Sequence, residues 1–224
     1  MDALVISDLH LGSPNCQVND LLYFLENIHD TQYLVLNGDV FDSMDFTRLG
    51  KKHWKVLSTL RKLSDKIKII WIAGNHDGPA EVLSHLVGLN VEREFIFKSG
   101  DNSILFLHGD VFDSFLTEHP FLTWLGDLLY LFLQKIDRSH YFARAAKHNS
   151  KVWLHCTKKI KAGATKRAVR HQCQIVCVGH THHAEQDCCN GIVYFNSGCW
   201  TERQSTYLAI ENGHVEIVNF RKLS

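Results

Sequence analysis

Side chains able to hold a cation recur at one kind of place in this sequence, just after a strand-like apolar run. Ala3–Ile6 leads into Asp8 and His10, and Tyr33–Asn37 into Gly38-Asp39-Val40-Phe41-Asp42. The run at 68–73 leads into Gly74-Asn75-His76-Asp77, and the run at 104–108 ends on His108 and continues into Gly109 and Asp110. The run at 174–178 leads into Gly179-His180-Thr181-His182-His183. A lone Asp-x-His is ordinary turn chemistry. Five such endings predict one polar cluster, because the carboxyl ends of parallel strands open onto a common crevice. The residue types divide into two sets: Asp8, His10, Asp39 and His182 for one cation, and Asn75, His108 and His180 for a second, with Asp39 bridging. Mixed carboxylate, amide and imidazole donors without thiolate suit Mn²⁺, Fe²⁺ or Zn²⁺ rather than Ca²⁺ or an iron–sulfur cluster. Glycines at 38, 74, 109 and 179 permit sharp turns that bring their neighbours close to an ion.

The elements that must position these residues follow from periodicity. Strand-like runs alternate in the first half with helix-period segments near 18–29 and 51–64, which predicts a largely parallel α/β sheet. Asn190-Gly191 and Asn212-Gly213 each sit between strand-like runs, as type I′ hairpin turns do, and predict a closing antiparallel meander. At 224 residues, 45% apolar and 21% charged, the chain has the composition of one soluble α/β domain over 1–224, and three prolines leave little room for a linker. The seven cysteines contain no CxxC pair, which argues against a disulfide framework or a thiolate zinc site. The N-terminus enters a strand without a signal-peptide pattern, so a cytoplasmic protein is expected.

Residues at about 115–170 break the strand pattern and read as a helical insertion. The stretch "PFLTWLGDLLYLFLQKI" is strongly apolar yet interrupted at Gly126-Asp127, and too short to cross a bilayer. Phe142, Ala146, Asn149, Trp153, Cys156 and Ile160 then recur at helical spacing, with Arg144, Lys147, Lys151, His155 and Lys158 on the opposite stripe. Residues 135–170 carry eleven Lys and Arg against one acid, Asp137. Since the whole chain has zero formal charge, the remainder is acidic: an anionic partner is expected at the insertion and cations at the crevice.

Taken in order, D-x-H, G-D-x-x-D, G-N-H-D, H-G-D and G-H-T-H resemble the calcineurin-like metallophosphoesterase superfamily. More narrowly, "SDLHLGS", "LHGDVFD", the insertion before "GHTHH", and "YFNSGCWTE" resemble the UDP-2,3-diacylglucosamine pyrophosphatase-like bacterial proteins of the lipid A pathway. The superfamily resemblance implies a four-layer αββα sandwich and a two-metal hydrolase whose ions activate a water and neutralise phosphoryl oxygens. It implies that Asp8, His10, Asp39 and His182 hold the first metal and Asp39, Asn75, His108 and His180 the second. It also makes His76 the general acid, with the Asp42 carboxylate as its partner. Asp77 and Asp110 are expected to support the ligands, and Asp110 to join Arg144, Lys147 and Lys151 in contacting substrate. His183 reads equally as a surface imidazole. The lipid A enzymes carry arginine where this chain has His76.

Three functions compete. The first is hydrolysis of a nucleotide-linked or lipid-linked pyrophosphate, with the insertion as a substrate cap in peripheral contact with the inner membrane. The second is a nuclease or nucleotide phosphodiesterase whose basic stripe follows a phosphate backbone. Trp153 and Phe142 lie off that stripe, so they cannot interleave with it for base stacking, which ranks this reading lower. The third, a non-catalytic scaffold, should have lost ligands or the acid, and all seven ligand positions and His76 are present.

Overall fold

The computed structural model describes residues 1–113 and 151–222. In the first sheet, β1 (Ala3–Ile6), β2 (Tyr33–Asn37), β3 (Lys68–Ile72) and β4 (Val91–Glu92) run parallel. The second sheet begins with β5 (Glu94–Ser99) and β6 (Asn102–Leu107), continues with β7 (Ile175–Val178), and closes with β8 (Glu185–Cys189) and β9 (Ile192–Asn196) in the order β5-β6-β7-β9-β8. The chain then returns to the first sheet as β10 (Thr206–Glu211) and β11 (His214–Asn219), giving the order β11-β10-β1-β2-β3-β4.

Strands buried on both faces need continuous apolar sequence, and β1 and β2 have it. Alternate residues supply two different cores. Ala3, Val5, Val35, Ile70 and Ile72 meet Phe97, Ile104, Phe106, Ile175 and Cys177 between the sheets. Leu4, Ile6, Leu34, Leu36, Ile69 and Trp71 face the other way, onto α1 (Val18–Glu26), α2 (Lys51–Leu63) and α3 (Ala80–Val87). On the far side, Leu105, Leu107, Val176, Val178 and Tyr194 pack on α4 (Lys151–Arg170) through Ala164 and Ala168. The result is helices, sheet, sheet, helix: the αββα sandwich that the resemblance implies.

Helix faces follow the expected spacing. α2 buries Val56, Leu60 and Leu63, one stripe of the helix. In α4, Ile160 is buried while His155 and Lys158 are exposed, and the inward stripe continues through Ala164 and Ala168. Arg144 and Lys147 lie outside the described residues, as does the apolar part of the insertion, and of Lys151 only its place at the start of α4 is described.

The closing meander is not what forms. The two Asn-Gly turns make two hairpins in different sheets: β8–β9 joins the second, where β9 also pairs parallel with β7, and β10–β11 joins the first by pairing β10 with β1. The physical reason lies in residues 197–205, which leave β9 and pass the end of β1, where the Trp200 N–H donates to the Asp8 carbonyl. That crossing carries the chain from one sheet to the other.

Candidate metal centre

β1, β2, β6 and β7 stop one or two residues before their candidate ligands, and the backbone there turns left-handed. Asp8, His10, Asp39, His180 and His182 have φ of 54°, 46°, 52°, 66° and 60°, and account for five of the nine described non-glycine residues with positive φ. Each such residue costs on the order of 1–3 kcal/mol, a cost that persists in folded proteins mainly where a site requires it. This resolves why an acid and an imidazole follow a buried strand: the turn aims both side chains back across the strand ends. Two glycines provide the room. At Gly38, φ is 93° and a Cβ would collide with the His108 ring; at Gly74, a Cβ would collide with the Asp39 carboxylate and main-chain N.

Donor atoms converge in three groups: Asp8, His10 and His182; Asp39, His108 and His180; and His10, Asp42 and His76, each with its atoms mutually within 4.8 Å. Hydrogen bonds to the far side of each ring determine which nitrogen points inward. His108 Nδ1 is 3.0 Å from the Asn37 carbonyl, an acceptor only, so Nδ1 carries a proton there. Nε2 then lies buried 3.2 Å from Asp39 Oδ2, facing it as an ion pair. His10 Nδ1 is 3.3 Å from Asp42 Oδ1, which leaves its Nε2 3.2 Å from His182 Nε2 and 3.8 Å from Asp39 Oδ2. His182 Nε2 is in turn 3.1 Å from Asp8 Oδ1. Inward-facing imidazole nitrogens and carboxylate oxygens at such separations need positive charge between them, and the donor set fits two divalent cations.

The electrostatics agree. Burial alone would push the Asp8 carboxyl up, but the charge and hydrogen bond of His182 override it and hold it at about 2. Burial likewise opposes ionisation of Asp39, and His108 beside it keeps it far below the usual carboxylate range. Burial would lower His108, yet Asp39 pushes it up to about 10. His10 is also raised, against its burial, by Asp42 and Asp39. Buried Asp8 and Asp39 are thus kept ionised by the imidazoles against them, His182 and His108 first.

Asp42 does not pair as expected. Its carboxylate goes to His10 and to Arg48, whose Nη2 lies 2.5 Å from Oδ2, while its main-chain carbonyl takes the Nδ1–H of His76 at 2.9 Å. The cause is competition: Arg48, at the end of the 3₁₀ turn Phe46–Arg48, and the nearly buried His10 offer the carboxylate closer charged partners than exposed His76 does. His76 still stands at the centre's edge, its ring 4.9 Å from that of His10, and its main-chain N–H donates to Asp39 Oδ1 at 3.0 Å. Asn75 precedes it on the same exposed turn.

Asp77 is buried between the loops that follow β2 and β3. It accepts from Phe41 N at 2.8 Å and Gly74 N at 3.0 Å, and burial together with the Asp39 charge raises its carboxyl above the ordinary range. Asp110 begins a 3₁₀ turn and lines a cavity of about 50 Å³ with His108, Arg93 and Arg167. His183 is exposed, its ring 5.8 Å from Trp153. Three contributors escaped sequence reasoning: Ser7, whose hydroxyl donates to Asp8; Arg48; and Asp113, whose Oδ2 lies 3.1 Å from His180 Nε2. Only Asp113 had a sequence signal, since Gly109–Asp113 repeats the pentapeptide of Gly38–Asp42.

Among solved structures, Vps29 from Chaetomium thermophilum is similar at TM-score 0.53 and 14% identity, over 99% of this chain and 98% of that one. A novel archaeal phosphodiesterase is similar at TM-score 0.51 and 15% identity, over 98% and 99%. The protein AQ665 of Aquifex aeolicus, of unknown function, is similar at TM-score 0.51 and 14% identity, over 88% and 89%. These likenesses are likenesses of fold. No curated protein is similar enough in sequence to count as a relative. A family model described as calcineurin-like phosphoesterase matches residues 1–184, a span that holds every strand-end cluster from Asp8 to His182. With that match over most of its length and the αββα sandwich around it, the chain belongs to the calcineurin-like phosphoesterase family.

Proposed function

We propose that this chain is a dinuclear-metal hydrolase of a phosphoester or pyrophosphate bond. Two divalent cations, Mn²⁺ first and Fe²⁺ or Zn²⁺ as alternatives, would be held by Asp8, His10, Asp39 and His182 and by Asp39, Asn75, His108 and His180. The observation that carries this reading is the convergence of donor atoms from Asp8, His10 and His182 and from Asp39, His108 and His180 into two groups, each mutually within 4.8 Å. Bound cations supply Lewis acidity toward phosphoryl oxygens and an activated water. The chain supplies the rest. His76 in its imidazolium form, with Nδ1–H held by the Asp42 carbonyl, would give its Nε2 proton to a leaving oxygen and remain as the neutral ring. Asp42 and Arg48 hold His10 in place, and Asp77 fixes the two loops that carry Asp39 and His76.

The narrower substrate we propose is a lipid-linked nucleotide pyrophosphate of the UDP-2,3-diacylglucosamine type, cleaved in the cytoplasm at the inner membrane. The sequence motifs near both termini and the apolar and basic halves of the insertion support it; among the described residues, no helix is long and apolar enough to cross a membrane. His76 in place of arginine keeps a second reading in view, a nucleotide phosphodiesterase or nuclease. Metal-reconstituted protein should be assayed on UDP-2,3-diacylglucosamine, simple nucleotides, a bis-aryl phosphate and single-stranded DNA. Metal-dependent cleavage of the aryl ester and of the lipid pyrophosphate is expected, and inertness toward the whole panel overturns the hydrolase reading.

Two results bear on the insertion. Reversing Arg144, Lys147 and Lys151 to Glu should raise KM strongly for the anionic natural substrate and only slightly for a small aryl phosphate. Equal changes in both reject the substrate cap. A lipid pyrophosphate should also show shallow salt dependence, with hydrolysis improving as acyl chains lengthen, at about 0.8 kcal/mol per buried CH₂. That preference should vanish when Leu128, Leu129 and Phe132 become Ser. A nucleic-acid track instead loses affinity steeply, the logarithm of the binding constant changing by about −0.7 per phosphate contact for each unit of log salt.

A further inference from the structure

The pentapeptide Gly-Asp-Val-Phe-Asp stands after β2 in the first sheet and again after β6 in the second. Both copies open on a left-handed glycine, with φ of 93° at Gly38 and 112° at Gly109. Both end on an aspartate that meets an imidazole from the neighbouring parallel strand. Asp42 Oδ1 lies 3.3 Å from His10 Nδ1, beyond β1, and Asp113 Oδ2 lies 3.1 Å from His180 Nε2, beyond β7. The hydrolase reading gives the end of the second copy nothing to do.

Its surroundings are nonetheless built. The side chains of Asp113 and His180 are 12% and 10% exposed, so their hydrogen bond is sheltered from competing water. The Cys156 thiol of α4 lies against the Asp113 carboxylate, and burial together with that negative charge raises the thiol to about 11. That helix rests directly on the pentapeptide: Gly163 lies over the Phe112 ring so closely that a Cβ would collide with it, and a Cβ at Gly109 would press on an Ile160 methyl. Asp113 is therefore held from two sides, with one oxygen aimed at a candidate ligand.

We propose that Asp113 is a positioning residue for the second cation, holding the His180 proton on Nε2 and so presenting Nδ1 to Asp39 and His108. A neutral imidazole has one donor nitrogen and one lone-pair nitrogen, and a carboxylate, which only accepts, settles which is which. Asp39, His108 and His180 each bring one donor atom into a common group within 4.8 Å, which is the geometry this orientation serves. Carboxylates that orient metal-bound histidines in this way change metal affinity when removed, though they never touch the metal. The inference rests on the reading of His180 as a ligand, and it adds a dependence of the second site on the packing of α4.

The test is calorimetric titration of the metal-stripped full chain with Mn²⁺ alone. Asp113→Ala removes the acceptor, and Asp113→Ser draws it back by one bond from Nε2; two variants are used so that one that fails to fold does not end the experiment. Asp113→Asn keeps an oxygen able to accept from Nε2–H. In the first two, one of two equivalents should weaken by about 10–100-fold with the other unchanged, and Asn should restore most of the loss. Wild-type affinities in the Ala or Ser protein, or an Asn protein as impaired as Ala, overturn the inference while leaving the dinuclear reading intact. A wild-type chain that takes up fewer than two equivalents overturns both.

Discussion

Asp39→Ala should bind neither cation and turn over no faster than metal-free protein. One carboxylate stands between the candidate groups, its Oδ2 3.2 Å from His108 Nε2 and 3.8 Å from His10 Nε2, and its Oδ1 accepts the His76 N–H. Without it, two imidazoles raised by its charge lose their counter-ion, and neither cation keeps a full set of donors. The backbone at this position has φ of 52°, which alanine tolerates poorly, so Asp39→Asn serves as the conformational control. It should keep the fold and still lose both metals. Elemental analysis beside turnover decides the matter: an Asp39→Asn protein with two tightly held equivalents and normal rate refutes the bridging role.

His76→Ala should dissociate metal content from rate. What His76 gives Asp39 is a main-chain N–H, which survives the substitution, and the ring is exposed, so the cations should remain at near-normal stoichiometry. What is lost is the Nε2 donor held by the Nδ1–H bond to the Asp42 carbonyl. Turnover of an ester with a poor leaving group should fall by about 10²–10⁴-fold, and of a nitrophenyl ester much less, because nitrophenolate departs without a proton. A variant that sheds its metals, or cleaves poor leaving groups at the normal rate, places His76 elsewhere in the chemistry.

Most of this centre could be read in the sequence because strand ends are legible. A parallel strand buried on both faces is a short apolar run, and the residues beyond it stand at the sheet's carboxyl edge wherever the strands pair. Asp8, His10, Asp39, His108, His180 and His182, whose donor atoms converge, are legible in that way. The partners of Asp42 were not, because the competition is decided in space: Arg48 reaches it from a 3₁₀ turn that no periodicity announces, and His10 from another strand. Ser7 was hidden because a hydroxyl beside a buried strand has no pattern of its own. In the fold, α3 has eight residues and β4 two, too few for either period to emerge. The crossing at 197–205 was illegible for a different reason, since hairpin turns fix the pairing of their own two strands and say nothing about which sheet receives them.

The candidate ligands come from both halves of the sandwich, and that division gives the inner core a metrical role. Asp8, His10 and Asp39 follow strands of the first sheet, whereas His108, His180 and His182 follow strands of the second. The spacing between the two sets is therefore a gauge fixed by the bulk of side chains that never meet a substrate, Val5, Val35 and Ile72 on one side and Phe106, Cys177 and Phe195 on the other. Packed sheets stand about 10 Å apart, and a methylene added or removed in such an interior is felt by its neighbours. Calibration of the cation pair thus lies in the thickness of the protein's middle layer, where evolution or engineering could tighten or relax it without altering a single donor atom.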